Sequence, residues 1–264
     1  MSFEGSAFCS RRSNVMAQDG MVASSQPLAV QAGLEALRAG GNAVDAAVAT
    51  AAALCVVEPC STGIGGDAFA LIWQADEGRL YGLNASGPAP AGLTADLLRR
   101  RGYETMPDRG GLSVTVPGAL RGWQLVLDRF GSLGLDRLME RAIAYAEDGF
   151  PVSELIARSW QASEGLLGWQ EASRRVWLLG GRAPRAGELF RNPALAGTLR
   201  AVAGQGVDVF YQGPLAAQVA ETVQAAGGVL AEDDLAAYRA EWVEPIWAEV
   251  GPGQRVYEIP PNGQ

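Results

Sequence analysis

Between Ala43 and Val57 the chain is nearly all Ala, Val and Leu, and Asp45 is its only charge. A run with no polar face predicts a buried helix rather than an amphipathic surface one. Its ends are marked: Asn42 can cap the first amides, Asp45 suits the positive end of the helix dipole, and Glu58-Pro59 closes the run. The segment is too short and wrongly flanked to cross a membrane. After it, Ser61 to Asp67 carries Gly63, Gly65 and Gly66, glycines free to take positive φ or to bring bare amides against a neighbour. The order is helix, loop, strand, whereas a phosphate loop needs strand, loop, helix. Close packing of the loop against a neighbouring strand is the reading this order favours.

The remaining pattern alternates helices with short β-rich runs. Residues 1–19 are small and polar without a period, which predicts a loose leader. Met21 to Ser24 reads as a short strand. Pro27 opens a helix with Val30, Leu34 and Leu37 inward, stopped by Gly40-Gly41. Ala68 to Gln74 and Arg79 to Asn84 read as an antiparallel hairpin; the first strand is apolar on both faces, which suits a sheet covered on each side. Leu120, Trp123, Leu127 and Phe130 form one helical stripe, and Leu135, Leu138, Met139, Ala142, Ile143 and Ala146 a second. Ser153 to Arg191 shows only a weak helix around Trp160, followed by Gly- and Arg-rich loop. Pro193 opens a helix through Val202. Another runs from Pro214 with Leu215, Val219 and Val223 inward, and a helical turn spans Asp233 to Tyr238. Trp242 to Val250 and Arg255 to Ile259 read as two strands about Gly251-Pro252-Gly253. The fold class is α+β, with no repeat or linker, and residues 20–264 form a segment of one domain.

Composition narrows the chemistry. With 264 residues and 48% hydrophobic content the chain can bury a substantial core. Its 21 basic and 29 acidic residues give a net charge of −8, and the one tight basic cluster, Arg99-Arg100-Arg101, reads as a solvated helix end, so nucleic acid is not an expected partner. There is no membrane span and no visible signal peptide, which makes the cytoplasm the expected location. Histidine is absent, so neither a Ser-His-Asp triad nor a His-ligated metal can be built; no metal and no cofactor are expected. Cys9, Cys55 and Cys60 do not make an even disulfide framework and read as small apolar residues. Asp67 and Glu58 are isolated carboxylates without an assignable role.

Three ordered motifs carry a resemblance. Gly41-Asn42-Ala43-Val44-Asp45-Ala46-Ala47-Val48-Ala49 is followed by Val57-Glu58-Pro59 and by Gly63-Ile64-Gly65-Gly66. Then come Val116-Pro117-Gly118-Ala119-Leu120-Arg121-Gly122-Trp123 and Phe210-Tyr211-Gln212-Gly213, with Gly227-Gly228, Asp234-Leu235, Tyr238 and Pro245 after them. This set resembles the N-terminal region of the γ-glutamyltransferase family of N-terminal-nucleophile (Ntn) hydrolases. Pro260-Pro261-Asn262-Gly263 resembles that family's Pro-Pro segment near the middle of the precursor. The resemblance implies the N-terminal part of a four-layer αββα fold, incomplete at its C-terminal end. Its partners would be the missing small-subunit half and a small-molecule γ-glutamyl amide of the glutathione class.

The resemblance also implies a mechanism without histidine. The family's nucleophile is a Thr freed by self-cleavage, whose own α-amino group serves as base and which lies beyond Gln264, so no catalytic residue is expected in this chain. The family's carboxylate-gripping Arg aligns with Ser86, or with Ala85 one residue earlier. No Arg occurs from Leu80 to Leu98. Asn84 and Ser86 are therefore the candidate substrate-binding residues, able to hydrogen-bond but not to form a bidentate guanidinium fork. The segment Asn84 to Pro90 reads equally as a plain strand end and turn. Two alternatives stand beside γ-glutamyl transfer or hydrolysis: a cephalosporin- or glutaryl-type acylase of the same family, and a catalytically silent fragment acting as a structural partner.

Overall fold

The computed structural model describes residues 13–262, so residues 1–12 of the expected leader, Cys9, Gly263 and Gln264 lie outside the described residues. In chain order the elements are α1 Pro27–Arg38, α2 Ala43–Val57, β1 Ala68–Gln74, β2 Arg79–Ala85, α3 Ala95–Arg100, α4 Ala119–Phe130 and α5 Leu135–Glu147. There follow β3 Phe150–Pro151, α6 Glu154–Ala162, α7 Glu164–Leu167, α8 Glu171–Trp177, β4 Leu189–Phe190, α9 Pro193–Gln205 and α10 Asp208–Tyr211. The last are α11 Pro214–Ala225, α12 Glu232–Ala237, β5 Glu241–Val243, β6 Ile246–Gly251 and β7 Gln254–Glu258. Met21 to Ser24 is not a strand, because no described strand runs beside it to share its hydrogen bonds.

The predicted bounds of α2 hold at both ends. Asn42 Oδ1 accepts from the amides of Val44 and Asp45 at 2.9 and 3.2 Å, and Asp45 Oδ2 accepts from the Asn42 amide at 2.7 Å, closing a capping box. Asp45 is 0% exposed. Its carboxylate also accepts from Ser132 Oγ at 2.5 Å and from the amides of Ser132 and Leu133 at 3.0 and 3.2 Å, which joins the start of α2 to the α4–α5 corner. Burial works against its ionisation, but the Ser132 hydroxyl and the Asn42, Ser132 and Leu133 amides outweigh it and hold the carboxyl below its usual range.

Helix α1 packs on α2 through its smallest residues. Ala29, Ala32, Gly33 and Ala36 are buried, whereas Val30, Leu34 and Leu37, expected inward, are only half-buried. A Cβ on Gly33 would lie 2.3 Å from Thr50 Oγ1. At that approach only Ala and Gly fit the seam, and the larger aliphatic side chains move to its shoulders. The same shift occurs in α11, where Ala216, Ala220 and Val223 are buried and Leu215 and Val219 flank them. Nor is α2 wholly buried: Ala43 and Ala47 are exposed and Ala51 and Leu54 half-buried, one stripe that no described element covers.

The main sheet has the order β1-β2-β5 and is antiparallel. Hairpin β1–β2 pairs Ala68 with Ala85 and Gln74 with Arg79, as its sequence predicts. Only one face of β1 is covered, however. Ala68, Ala70 and Ile72 pack on the core, while Phe69, Leu71 and Trp73 are 40%, 42% and 61% exposed on the other face of a strand that is, among the described residues, at the edge of the sheet. The single strand expected from Trp242 to Val250 is two. Pro245 has no amide to give a ladder, so the chain leaves the sheet after β5, and β6 pairs with β7 as a separate ribbon.

The segment from Ser153 to Arg191, thin in helical signal, is organised by aromatic rings. Trp177 stacks on Phe190 with centroids 6.1 Å apart, Trp160 meets Phe190 at 4.7 Å, and Trp160 Nε1 donates to the Trp177 carbonyl at 2.9 Å. Strands β3 and β4 pair and contribute Phe150 and Phe190 to this cluster, with their ring centroids 6.0 Å apart. The basic run behaves as predicted at the exposed end of α3, with Arg101 Nη1 donating to the Gly227 carbonyl at 2.6 Å.

Replacing Asp45 by Ala is expected to cost about 3 kcal/mol, since the part-buried amides of Asn42, Ser132 and Leu133 lose their common acceptor; urea denaturation measures it. Because the folded carboxyl titrates below the unfolded value of ~3.9, its stabilisation is complete above that pH and is lost as pH falls through the folded value. Melting temperatures between about pH 6 and pH 2 are therefore expected to fall less steeply for Asp45→Asn than for the parent.

Candidate functional site

The end of β2 is held by backbone against backbone. A Cβ on Gly87 would sit 1.5 Å from the Val116 carbonyl oxygen, and one on Gly118 would sit 1.9 Å from that of Ala85. Only glycine allows these two segments to touch in this way. The Val116 amide donates to the Pro88 carbonyl at 3.0 Å, and the Gly118 and Ala119 amides both donate to the Gly66 carbonyl at 2.9 Å. That carbonyl gives the first amides of α4, which have no acceptor within the helix, their partner.

The glycine loop therefore works differently from its expected close packing on a strand. A Cβ on Gly63 or Gly65 would meet nothing within 4 Å, and neither glycine has positive φ. What the loop delivers is the Gly66 carbonyl and, next to it, Asp67. Asp67 Oδ1 accepts from the Gly87 amide at 3.0 Å, tying the start of β1 to the turn after β2.

Asn84 and Ser86, the two residues singled out from sequence, lie together. Asn84 Oδ1 accepts from the Ser86 amide at 2.9 Å, and its Nδ2 donates to Asn262 Oδ1 at 3.2 Å and to the Pro260 carbonyl at 3.4 Å. Asn262 Nδ2 in turn donates to Ser86 Oγ at 2.6 Å. The side chain of Asn84 thus holds Ser86 and the Pro-Pro segment in register, while the Ser86 hydroxyl, an acceptor here, keeps its own hydrogen to donate.

Tyr238 closes the cluster from below, its hydroxyl 3.5 Å from the Ser86 carbonyl oxygen. Burial, and then the negative charges of Asp67 and Glu241, push its phenol up to about 12, so it stays protonated and can donate. Behind it Tyr211, fully buried and likewise raised by burial, stacks on the Tyr238 ring and donates to the Pro117 carbonyl at 2.9 Å. Arg121 lies over the Tyr211 ring at 4.4 Å and donates to Asp208 Oδ1 at 2.5 Å and Gln124 Oε1 at 3.2 Å. Arg109 lines a separate cleft with Trp169, Ser173 and Thr222. Among the described residues no guanidinium hydrogen-bonds Asn84, Ser86 or Asp67.

Asp67, Tyr238 and Asn262 are the members that sequence reasoning did not assign to the site. Asp67 had a signal, the only carboxylate at the junction of the glycine loop and β1; Tyr238 and Asn262 join through tertiary contact alone. Beside the cluster an open groove of about 640 Å³ runs between α2 and β1, with Asp67 as the one ionisable side chain on its wall. Glu58, the other unassigned carboxylate, accepts from Ser25 Oγ at 2.5 Å. Burial pushes the Cys55 thiol up to about 12, which makes it unreactive, while Cys60 is exposed. Among the described residues no three His, Cys, Asp or Glu side chains converge as a metal site, and no helix is long and apolar enough to cross a membrane.

Comparison with known proteins places this arrangement. The Gamma-glutamyltranspeptidase family model matches residues 29–264. The Oxamate amidohydrolase proenzyme of Klebsiella pneumoniae is 42% identical over 233 residues, which is 86% of this chain and 44% of that protein. The Glutathione hydrolase-like YwrD proenzyme of Bacillus subtilis is 38% identical over 245 residues, 92% of this chain and 46% of that protein. The crystal structure of cephalosporin acylase from Bacillus halodurans matches with a TM-score of 0.90 at 46% identity, over 99% of this chain and 50% of that one. The chain spans a little under half the length of these two curated relatives.

The two kinds of glycine give contrasting expectations. Gly87→Ala forces backbone apart at the site and is expected to cost about 3 kcal/mol, whereas Gly65→Ala, with open space around it, is expected to stay within about 0.5 kcal/mol. Denaturant melts of the two variants make the comparison.

Proposed function

The chain belongs to the gamma-glutamyltranspeptidase family, and from that membership we propose that it is the N-terminal, large-subunit half of an Ntn-hydrolase that transfers or hydrolyses γ-glutamyl amides of the glutathione class. Its α+β architecture, a helical layer on one face of a sheet, is the corresponding part of that fold. In this reading a downstream half covers the bare face of β1 and the α2 stripe, and it carries the Thr nucleophile. The α-amino group of that Thr, with an ordinary pKa of ~7.7–8.0, takes the hydroxyl proton during attack on the amide carbonyl. As the C–N bond breaks, that proton passes to the departing amine, and the acyl group of the resulting Thr ester is then transferred to water or to an amine acceptor, which restores the Thr hydroxyl.

The observation that carries the proposal within this chain is the cluster of Asn84, Ser86 and Asn262. It joins the end of β2 to the Pro260–Asn262 segment, from which, in this reading, the chain would lead toward the half bearing the nucleophile. Ser86 would contact the acyl group with its free hydroxyl hydrogen, and Asn84 would fix both Ser86 and Asn262 beside it. The lack of a guanidinium at this point favours a second reading, an acylase for a different acyl group, and the name of the Bacillus halodurans structure agrees with it.

Purified residues 1–264 are expected to leave a γ-glutamyl anilide intact, while the processed full-length protein cleaves it. Turnover by residues 1–264 above the buffer rate would falsify the location of the nucleophile, and inactivity of the full-length protein would favour the silent structural partner. In the full-length protein Ser86→Arg is expected to raise kcat/KM for the γ-glutamyl anilide by roughly ten- to a hundred-fold, the range of one charge-assisted contact to the α-carboxylate.

A further inference from the structure

We infer that the cleft between the start of α8 and the end of α11 is a second binding site, and that its ligand is a small aromatic carboxylate. The cleft measures about 470 Å³, a size that holds a molecule of one or two fused rings. No residue of α2, β1 or β2 lies on its wall, so it is distinct from the candidate site and from the surfaces that a downstream half would cover.

Two separate joints hold its walls in place. On one side a Cβ on Gly111 would lie 2.3 Å from the Gly228 amide nitrogen, and the Gly111 amide donates to the Ala226 carbonyl at 3.2 Å. That backbone contact fixes the turn carrying Arg109 and Ser113 against the end of α11. On the other side Trp177, the last residue of α8, is stacked on Phe190, while Trp169, just before the start of the same helix, lines the cleft and is 69% exposed.

Charge and hydrogen-bonding capacity select the ligand. Arg109 is the one ionisable side chain on the wall, and among the described residues it has no hydrogen-bond or ion-pair partner. Nearby acids are engaged elsewhere, Glu171 with Arg174 and Glu164 with the Ala183 amide, and Asp108 and Glu221 are not on the wall. A guanidinium without a carboxylate beside it is matched by a planar oxyanion, which it grips through two parallel bonds. An inorganic anion would leave the Trp169 ring and Leu166 in water, whereas a carboxylate carried on an aromatic ring covers them. Ser113 Oγ donates to the Gly110 carbonyl at 2.9 Å and Thr222 Oγ1 to the Gln218 carbonyl at 2.7 Å, so both hydroxyls have only acceptor capacity left, which suits a ring N–H.

Indole-3-acetate combines these features and is the probe, titrated calorimetrically into the full-length protein, with indole-3-acetamide as its uncharged counterpart. Saturable binding is expected, with the acetate at least ten-fold tighter than the acetamide, the factor one charge-assisted contact supplies. Arg109→Gln is expected to abolish that preference, and Trp169→Ala to weaken both probes roughly three- to ten-fold. The inference is overturned by an absence of saturable binding up to about 10 mM indole-3-acetate, by equal affinities of the two probes for the parent, or by an unchanged preference in Arg109→Gln. Displacement of the probe by L-glutamate overturns it as well, since the probe would then occupy the acyl-group site. Should either variant not fold, the preference of the parent for acetate over acetamide decides.

Discussion

Asp45 accepts hydrogen bonds from its own helix start at Asn42 and from Ser132 and Leu133, residues 87 and 88 positions away in sequence. A buried carboxylate is tolerable only when donors surround it, and here the donors are mostly backbone amides that would otherwise be unsatisfied. The need is thus mutual: α2 requires a cap that sits in the interior, and the α4–α5 corner requires an acceptor for its turning amides. Asn42 reinforces the same joint from its other side by donating through Nδ2 to the Phe130 carbonyl at 2.6 Å. With α2 docked in this way, α4 is placed beside β1 and β2, and the start of α4 is what the candidate site is built on.

From that joint outward the structure relies on small residues. Gly33 against Thr50, Gly111 against Gly228 and Gly87 against Val116 are all positions where a Cβ would collide. Close contact of this kind brings backbone to backbone with little freedom to shift, because interiors packed near crystal density transmit small displacements. The consequence for the site is rigidity without large side chains. Gly66, Gly87 and Gly118 set the distances, and Asp67, Asn84 and Ser86 provide short polar groups on that frame.

How much of this was legible depended on where the controlling interaction lay along the chain. The bounds of α2 and the β1–β2 hairpin could be read because Asn42, Asp45, Glu58-Pro59 and the Ala75–Gly78 turn act locally. The inward faces of α1 and α11 were misread for a physical reason: a periodicity argument weights large aliphatic side chains, and at these seams the partner helix or loop comes so near that Ala and Gly take the buried positions. The exposed face of β1 illustrates the reverse. Its apolarity predicts cover on both faces, and among the described residues only one face is covered. Within the site, Asn84 and Ser86 were reachable through the resemblance. Tyr238 and Asn262 arrive from positions more than 150 residues downstream, and no local pattern in either segment points to the other.

The position of Asp67 follows from the same chain of causes. Gly66 must turn its carbonyl to the amides of Gly118 and Ala119, so the next residue leaves the loop pointing at the turn after β2, where the Gly87 amide needs an acceptor because β1 pairs only as far as Ala85. A carboxylate satisfies that amide with one oxygen and has a second oxygen left over. A structural requirement of the hairpin end thereby sets an exposed carboxylate at the edge of the candidate site, one residue from the glycine whose carbonyl anchors α4.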